Sequence, residues 1–245
     1  MVVSVVVSIV FSGVETNNFW VQSMTFIVMY LGYFLVFIAF RKTVKRHDYC
    51  FKLQPSNTLL TILLSFTCIA GFMLVQFAAI DLFRLMGQAR ATEPFRISGW
   101  GMFLMCVLVM AILPAIIEEL LFRGVILKSL SQHGTVSAVL LSSLFFAMFH
   151  LSFTQLVYQF ILGLVFALVY LRTKNLLYPI LLHFVNNFFI VTYTFIAGSD
   201  YMPYAWNTYT IVTGILLCIV GAAAIIGLVS VLKKEDNARR QQTEG

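Results

Sequence analysis

The sequence predicts an all-α protein, a polytopic transmembrane bundle of seven to eight helices. Two observations carry this prediction. The 245-residue chain is 60% hydrophobic and only 11% charged, with a mean hydropathy of +0.93, whereas soluble domains carry about 25% charged residues. Its apolar stretches also approach or exceed the roughly 20 residues that a membrane-spanning helix needs. This composition excludes an ordinary soluble domain.

Seven apolar stretches are candidate spans, and an eighth is shorter. The seven are 19–40, 58–83, 99–117, 135–150, 154–171, 176–197 and 208–232. Residues 2–12 are short for a span, and a partial, interfacial or signal-like helix stays open for them. No basic residue precedes this stretch and no A-x-A site follows it, so we do not expect a cleaved signal peptide.

The basic residues predict an orientation for the bundle. Four regions, 41–52, 123–133, 172–175 and the tail 233–245, hold 13 of the 16 Lys and Arg residues. If the helices alternate, these regions share one side of the membrane. Because basic loops face the cytoplasm, we expect these loops and the tail to be cytoplasmic. The net charge of +6 then reflects anionic lipid, and we expect no nucleic-acid partner.

Several ionisable side chains interrupt the apolar stretches. Glu118, Glu119 and Arg123 lie within AILPAIIEELLFRGVIL, His150 ends another stretch, and His183 lies within a third. A charged side chain at the centre of a membrane costs about 2.5–3.5 kcal/mol on insertion scales. Such residues indicate a functional site by default.

Helical spacing divides the acidic residues by partner. Glu119 and Arg123 are four residues apart and share one helix face, so they can form an ion pair that satisfies both charges. Glu118 points about 100° away, and Phe122 stands where a local cation would be needed. Glu118 therefore needs a partner on another helix or a wet cavity, and it is the better candidate for chemistry.

The histidines have the same spacing to a second residue. Phe146 and His150 are four residues apart, as are His183 and Asn187. A lone histidine in a membrane is often a hydrogen-bonding residue between helices, and Phe146 alone would be a core residue. Two hydrogen-bonding side chains on one helix face, His183 and Asn187, favour a site.

These residues resemble a known set of motifs. Glu118-Glu119-x-x-x-Arg123, Phe146-x-x-x-His150 and His183-x-x-x-Asn187 look like the ordered motifs EExxxR, FxxxH and HxxxN/D of the CPBP family. That family includes type II CAAX prenyl endopeptidases and bacterial relatives linked to bacteriocin processing and self-immunity. The resemblance covers residues 118–187 and is complete in its motifs.

The resemblance implies a role for each position. Glu118 would be the general base that activates water, with His150 as its partner. His183 and Asn187 would stabilise the oxyanion on the scissile carbonyl. Glu119 and Arg123 would hold the motif helix in place, and we expect Phe146 to be structural support.

The chemistry of these side chains suits peptide hydrolysis without a cofactor. A carboxylate can act as a general base, and histidine and asparagine can donate to an oxyanion. Zinc is the alternative, because Glu118, His150 and His183 could bind it with an open position for water. The sequence contains neither HExxH nor GxSxG, the motifs of common zinc and serine hydrolases.

The resemblance also implies how the chain is organised. We expect N-terminal transmembrane helices in 1–95, a protease core in 96–232 and a disordered tail in 233–245. The small size resembles bacterial members and implies an integral protein of a bacterial cell membrane. Its partners would be membrane lipids and a peptide or membrane-protein substrate, and the sequence leaves the oligomeric state open.

The resemblance implies that the protein is an intramembrane endopeptidase, and two other functions compete with this hypothesis. A non-catalytic scaffold or bacteriocin-immunity protein could use the same fold, although the intact motifs count against it. A transporter could use the buried charges as an ion path, but it would favour inverted repeats, and none is visible in the sequence.

Overall fold

The structure is a computed structural model, and it describes the central part of the chain most fully. The described residues are 19–40, 58, 61–69, 71, 82, 85, 97–151, 153–197 and 212. Residues 2–12, nearly all of 208–232 and the tail 233–245 lie outside them, as do most of 58–83 and the basic loop 41–52. The predictions for those segments remain predictions.

Helices account for almost all of the described residues, so the all-α prediction is confirmed there. They are α1 (Phe19–Phe40), α2 (Gly99–His133), α3 (Thr135–Phe149), α4 (Phe153–Thr173) and α5 (Leu177–Ala197). Residues 61–69 are also helical. The helix limits fall within two residues of the predicted ones except at the end of α2, because long apolar stretches between polar turns define helices well.

Four of these helices are long and apolar enough to cross a membrane. They are α1, α2, α4 and α5, whereas α3 is shorter. This finding supports an integral membrane protein. The predicted total of seven to eight helices is not confirmed, since the described residues contain only four candidate spans.

Helix α2 extends well beyond the predicted limits of 99–117. It continues to His133 and includes two π-helical stretches, Val107–Ile112 and Phe122–Leu127. The first ends two residues before Pro114, whose ring nitrogen cannot donate a backbone hydrogen bond. A π turn accommodates such a break without ending the helix. The polar residues from Glu118 onwards therefore lie inside α2.

The burial of Arg123 corrects one part of the orientation argument. This residue was counted among the basic loop residues, but its side chain is only 1% exposed within α2. It pairs with Glu119 and so is not a free charge facing the cytoplasm. The predicted orientation then rests on one basic residue fewer.

Helices α3 and α4 form a closely packed antiparallel pair. At Gly163 of α4, a Cβ atom would lie 2.9 Å from the Cα and Cβ atoms of Ser143 in α3. Real Cβ atoms do not approach this closely, so only glycine fits between the two backbones. Small residues at helix interfaces allow such close approach in membranes. The backbone carbonyl of Gly163 is thereby brought into the interior of the bundle.

The remaining helices enclose the polar part of α2. Helix α5 packs against both π-containing and α-helical parts of α2 and against α4, while α1 packs against Leu113–Leu121 of α2. One apolar cluster joins α2, α3, α4 and α5. Its buried members are Phe122, Phe146, Tyr158, Leu162, Phe166 and Leu182. The motif residues of α2 therefore face a common interior.

We expect Gly163→Ala to destabilise the bundle by about 1–3 kcal/mol, as overpacking of a tight interface generally does. Gly101→Ala is the matched control, because, apart from its own stretch of helix, no atom of the described residues lies within 4 Å of the position its Cβ would take. Unfolding of both variants in detergent measures the difference. Equal stability of the two variants would contradict the close α3–α4 contact.

Candidate active site

Three charged side chains of α2 are buried in the bundle. The exposed fraction is 3% for Glu118, 0% for Glu119 and 1% for Arg123. Arg123 Nη1 donates to Glu119 Oε1 at 2.7 Å. The ion pair predicted from their spacing is therefore present, and each charge compensates the other where water is excluded.

Arg123 also binds groups from α3 and α4. Its Nη2 donates to the carbonyl oxygen of Gly163 at 3.1 Å. Its guanidinium carbon lies 4.6 Å from the ring centre of Phe146 and 5.1 Å from that of Phe166. Both distances suit cation–π attraction. Arg123 thus connects three helices through its charge.

Glu119 joins α2 to the histidine of α5. His183 Nδ1 lies 3.0 Å from the same Oε1 atom that accepts from Arg123. The imidazole stacks on Phe166 with ring centres 5.2 Å apart and meets the edge of Phe146 at 5.8 Å. An ionised carboxylate only accepts hydrogen bonds, so Nδ1 carries the hydrogen here and Nε2 remains for another partner.

Glu118 finds its partner on α1. Tyr30 Oη donates to Glu118 Oε1 at 3.0 Å, across 88 residues of sequence. Oε2 of Glu118 is buried and makes no hydrogen bond within the described residues. The sequence predicted for Glu118 either a partner on another helix or a wet cavity, and Tyr30 is such a partner. One of its carboxylate oxygens is held, and the other is available as a proton acceptor.

His150 lies at the end of α3, where the helix stops. Its Nδ1 is 2.9 Å from the carbonyl oxygen of Phe146, one of the last carbonyls of a helix, which lack partners in the helix itself. Leu151 follows with a φ of 52°, the left-handed conformation that commonly ends helices. Because a carbonyl only accepts, Nδ1 carries the hydrogen and Nε2 presents a lone pair.

Asn187 belongs to a separate hydrogen-bonded chain. Tyr158 Oη donates to Asn186 Oδ1 at 2.6 Å, and Asn186 Nδ2 donates to Asn187 Oδ1 at 3.1 Å. Tyr158 and Asn186 are buried, whereas Asn187 is partly exposed. Asn187 lies one helical turn beyond His183 on the same face of α5.

The structure brings together some of the predicted site residues more closely than others. Glu119, Arg123, His183 and Phe146 form one contact cluster, and Phe146 also contacts His150, with ring centres 5.0 Å apart. Glu118 and His150, predicted as partners, share no hydrogen bond in the described structure. Oε1 of Glu118 binds Tyr30, and Nδ1 of His150 binds the Phe146 carbonyl.

The zinc alternative finds no assembled ligand set in the described part of the chain. There, no three His, Cys, Asp or Glu side chains are gathered as metal ligands. Glu118, His150 and His183, the candidate ligands, belong to that part of the chain, and a tetrahedral zinc site requires such a set.

Several contacts of the site have only weak signals in the sequence. Tyr30, Tyr158 and Phe166 are ordinary aromatic residues of apolar helices until their partners are known. Gly163 gives no sign that its carbonyl accepts from a charged group. Asn186 was visible as a polar residue in an apolar stretch, but its spacing assigned it no partner.

Fold and site together define a helical membrane protein with a buried Glu–Arg–His cluster shared by several helices. Residues 100–189 match the family described as Type II CAAX prenyl endopeptidase Rce1-like. This segment contains all of the motif residues from Glu118 to Asn187. Within residues 100–189 the chain is thus similar to the family whose motifs it resembles.

Two curated bacterial proteins are similar over part of their length. YdiL of Bacillus subtilis (strain 168), named as a candidate membrane peptidase, is 34% identical over 86 residues, 35% of this chain and 35% of that protein. The membrane-embedded CAAX protease MroQ of Staphylococcus aureus (strain USA300) is 33% identical over 90 residues, 34% of this chain and 36% of that protein. The chain thus aligns with about a third of each relative. No solved structure matches it significantly.

Removal of the arginine charge should destabilise the site strongly. We expect Arg123→Met to lower the free energy of unfolding by about 3–5 kcal/mol, because it leaves the Glu119 carboxylate buried without its ion-pair partner. The double variant Glu119→Gln/Arg123→Met should recover most of this loss. Detergent unfolding is the measurement, and Arg172→Met, at an exposed position of α4, is the control. A double variant less stable than the single one would contradict the pairing.

Proposed function

We propose that this protein is an intramembrane endopeptidase that hydrolyses a peptide bond with water activated by Glu118. The observation that carries the proposal is the meeting of all three motif helices around buried polar side chains. There, Glu118 has one oxygen held by Tyr30 and the other without a hydrogen bond in the described structure. The family match of residues 100–189 and the two relatives named as membrane peptidases support it.

Glu118 would supply the general base. Its Oε2 would accept a proton from water, and the resulting hydroxide would attack the carbonyl carbon of the scissile peptide. The proton would then pass to the departing amine as the carbon–nitrogen bond breaks. The hydrogen bond from Tyr30 to Oε1 would fix the carboxylate so that Oε2 is the oxygen presented to water. A base held in this way typically accelerates reactions about 10²–10⁴-fold.

His150 would assist the water from the opposite direction. Its Nδ1 hydrogen is used by the Phe146 carbonyl, so its Nε2 lone pair can accept a hydrogen bond from the same water molecule. In this arrangement Glu118 and His150 act together through water. Their lack of a direct hydrogen bond in the described structure is compatible with that partnership.

His183 and Asn187 would stabilise the oxyanion of the tetrahedral intermediate. Glu119 holds Nδ1 of His183, and two phenylalanine rings fix the plane of the imidazole. In this role the His183 ring would be the imidazolium, with hydrogens on both nitrogens, and its Nε2–H and the Asn187 amide would lie on the same face of α5, one turn apart. Donors held before the reaction begins stabilise developing charge without a reorganisation penalty. Glu119 and Arg123 would position His183. Phe146 packs against both Arg123 and His183.

The proposed substrate class rests on the membrane setting and on the similarity of residues 100–189 to the matched family. We propose a membrane-associated or secreted-peptide precursor cleaved within a bacterial cell membrane, with the basic loops and tail on the cytoplasmic side. One relative is named as a CAAX protease, so a peptide with a C-terminal CAAX sequence is the natural first substrate. Membrane lipids are the other expected partner.

Substitution of the base tests the proposal directly. Glu118→Gln keeps the shape of the side chain and should reduce cleavage by about 10²–10⁴-fold, as loss of a general base does. His150→Ala should also reduce it strongly. The measurement uses protein reconstituted in liposomes with fluorogenic CAAX peptides, one farnesylated and one not.

His133→Ala is the matched histidine control, since His133 is exposed at the end of α2 and should leave cleavage unchanged. Cleavage of neither peptide by the wild-type protein would count against the endopeptidase. Equal cleavage by Glu118→Gln would count against its catalytic assignment. A non-catalytic scaffold of the same fold predicts the first of these results.

The proposed mechanism uses no metal ion, and this is a separate prediction. We expect cleavage to persist after treatment with a membrane-permeable zinc chelator, because the candidate ligands do not form a gathered set in the described structure. Activity is compared before chelation, after it and after zinc is restored. Loss of activity with chelator and its return with zinc would overturn the metal-free mechanism.

A further inference from the structure

We propose that Tyr158 and Asn186 are positioning residues that fix which end of the Asn187 amide faces the substrate. This inference rests on the proposed function, because it concerns how an oxyanion donor is oriented. No motif of the sequence includes either residue. The hydrogen-bonded chain from Tyr158 through Asn186 to Asn187 carries the inference.

The first two members of this chain are buried polar groups with a short hydrogen bond between helices. Tyr158 of α4 is 3% exposed and Asn186 of α5 is 1% exposed. Their bond, 2.6 Å from Tyr158 Oη to Asn186 Oδ1, spans 28 residues of sequence. A buried polar group without a partner is costly, so the hydrogen bond donated by Tyr158 holds Asn186 with its Oδ1 turned toward α4.

The direction of the chain determines the orientation of Asn187. Since Asn186 Oδ1 accepts from Tyr158, Asn186 turns its Nδ2 toward Asn187. A donor must meet an acceptor, so Asn187 offers Oδ1 to Asn186. The Nδ2 group of Asn187 then lies at the other corner of its planar amide, and no hydrogen bond within the described residues occupies it.

This orientation is the one that the proposed chemistry needs. An oxyanion must be met by N–H donors, and an amide turned the other way would present an oxygen and repel it. An isolated asparagine has no strong preference between the two orientations. Tyr158 and Asn186 would therefore convert Asn187 from an ambivalent side chain into a fixed donor.

A double-mutant cycle tests the inference with the fluorogenic CAAX peptides in liposomes. We expect Tyr158→Phe to lower kcat about 5- to 30-fold, the effect of one lost hydrogen bond to a polar network, with KM little changed. Asn186→Ala should act similarly. In an Asn187→Ala background, Tyr158→Phe should cause no further loss, because the donor that it positions is already absent.

Tyr170→Phe is the matched control. It removes the same atom from another buried tyrosine of α4, about 18 Å further along the helix axis, and should leave kcat unchanged. If Asn187→Ala itself has no effect, the proposed oxyanion role fails. If Asn187→Ala lowers kcat but Tyr158→Phe does not, or if their effects multiply, the positioning role fails while the endopeptidase stands.

A second measurement does not depend on cleavage. In protein labelled with ¹⁵N at asparagine and held in lipid nanodiscs, the side-chain amide signals of Asn187 are assigned by their loss in Asn187→Ala. We expect Tyr158→Phe to shift these signals and Tyr170→Phe to leave them in place. Unchanged Asn187 signals in Tyr158→Phe would overturn the inference even if no peptide is cleaved.

Discussion

The buried ion pair between Glu119 and Arg123 is the interaction on which the arrangement of the site depends. Neither charge could stay in an apolar bundle alone, because an unpaired buried charge is strongly destabilising. Together they remain 2.7 Å apart, and each extends to another helix. Glu119 reaches His183 of α5, and Arg123 reaches Gly163 of α4. One local pair thus fixes the relative positions of three helices.

The packing around this pair explains why neighbouring side chains are aromatic or very small. Phe146 and Phe166 lie against the guanidinium of Arg123 and the imidazole of His183, so the rings exclude water and hold both groups in plane. Gly163 lets α3 approach α4 closely enough to bring a backbone carbonyl to Arg123. The electrostatic and steric requirements therefore act on the same few positions.

A common feature of the two motif histidines is that Nδ1 has a hydrogen-bond partner while Nε2 has none among the described residues. His150 gives its Nδ1 hydrogen to a backbone carbonyl at a helix end, and His183 gives its own to a carboxylate. The partner of one ring nitrogen sets what the other can do. In the same way, Tyr30 selects one oxygen of Glu118. The proposed chemistry depends on these hydrogen-bond partners of the motif side chains as much as on the motif side chains themselves.

The sequence by itself determined the membrane class, the limits of most described helices and the Glu119–Arg123 pair, because apolar length and helical spacing are local properties. It also picked out Glu118 as the acid without a local partner. Only the tertiary structure decided that Tyr30 holds Glu118, that His150 bonds the Phe146 carbonyl, and that Tyr158 reaches Asn187 through Asn186. Most of these contacts join residues far apart in the chain, and the His150 bond depends on where α3 ends. Their partners are therefore set by helix packing and helix termination, which no spacing rule within a single helix specifies.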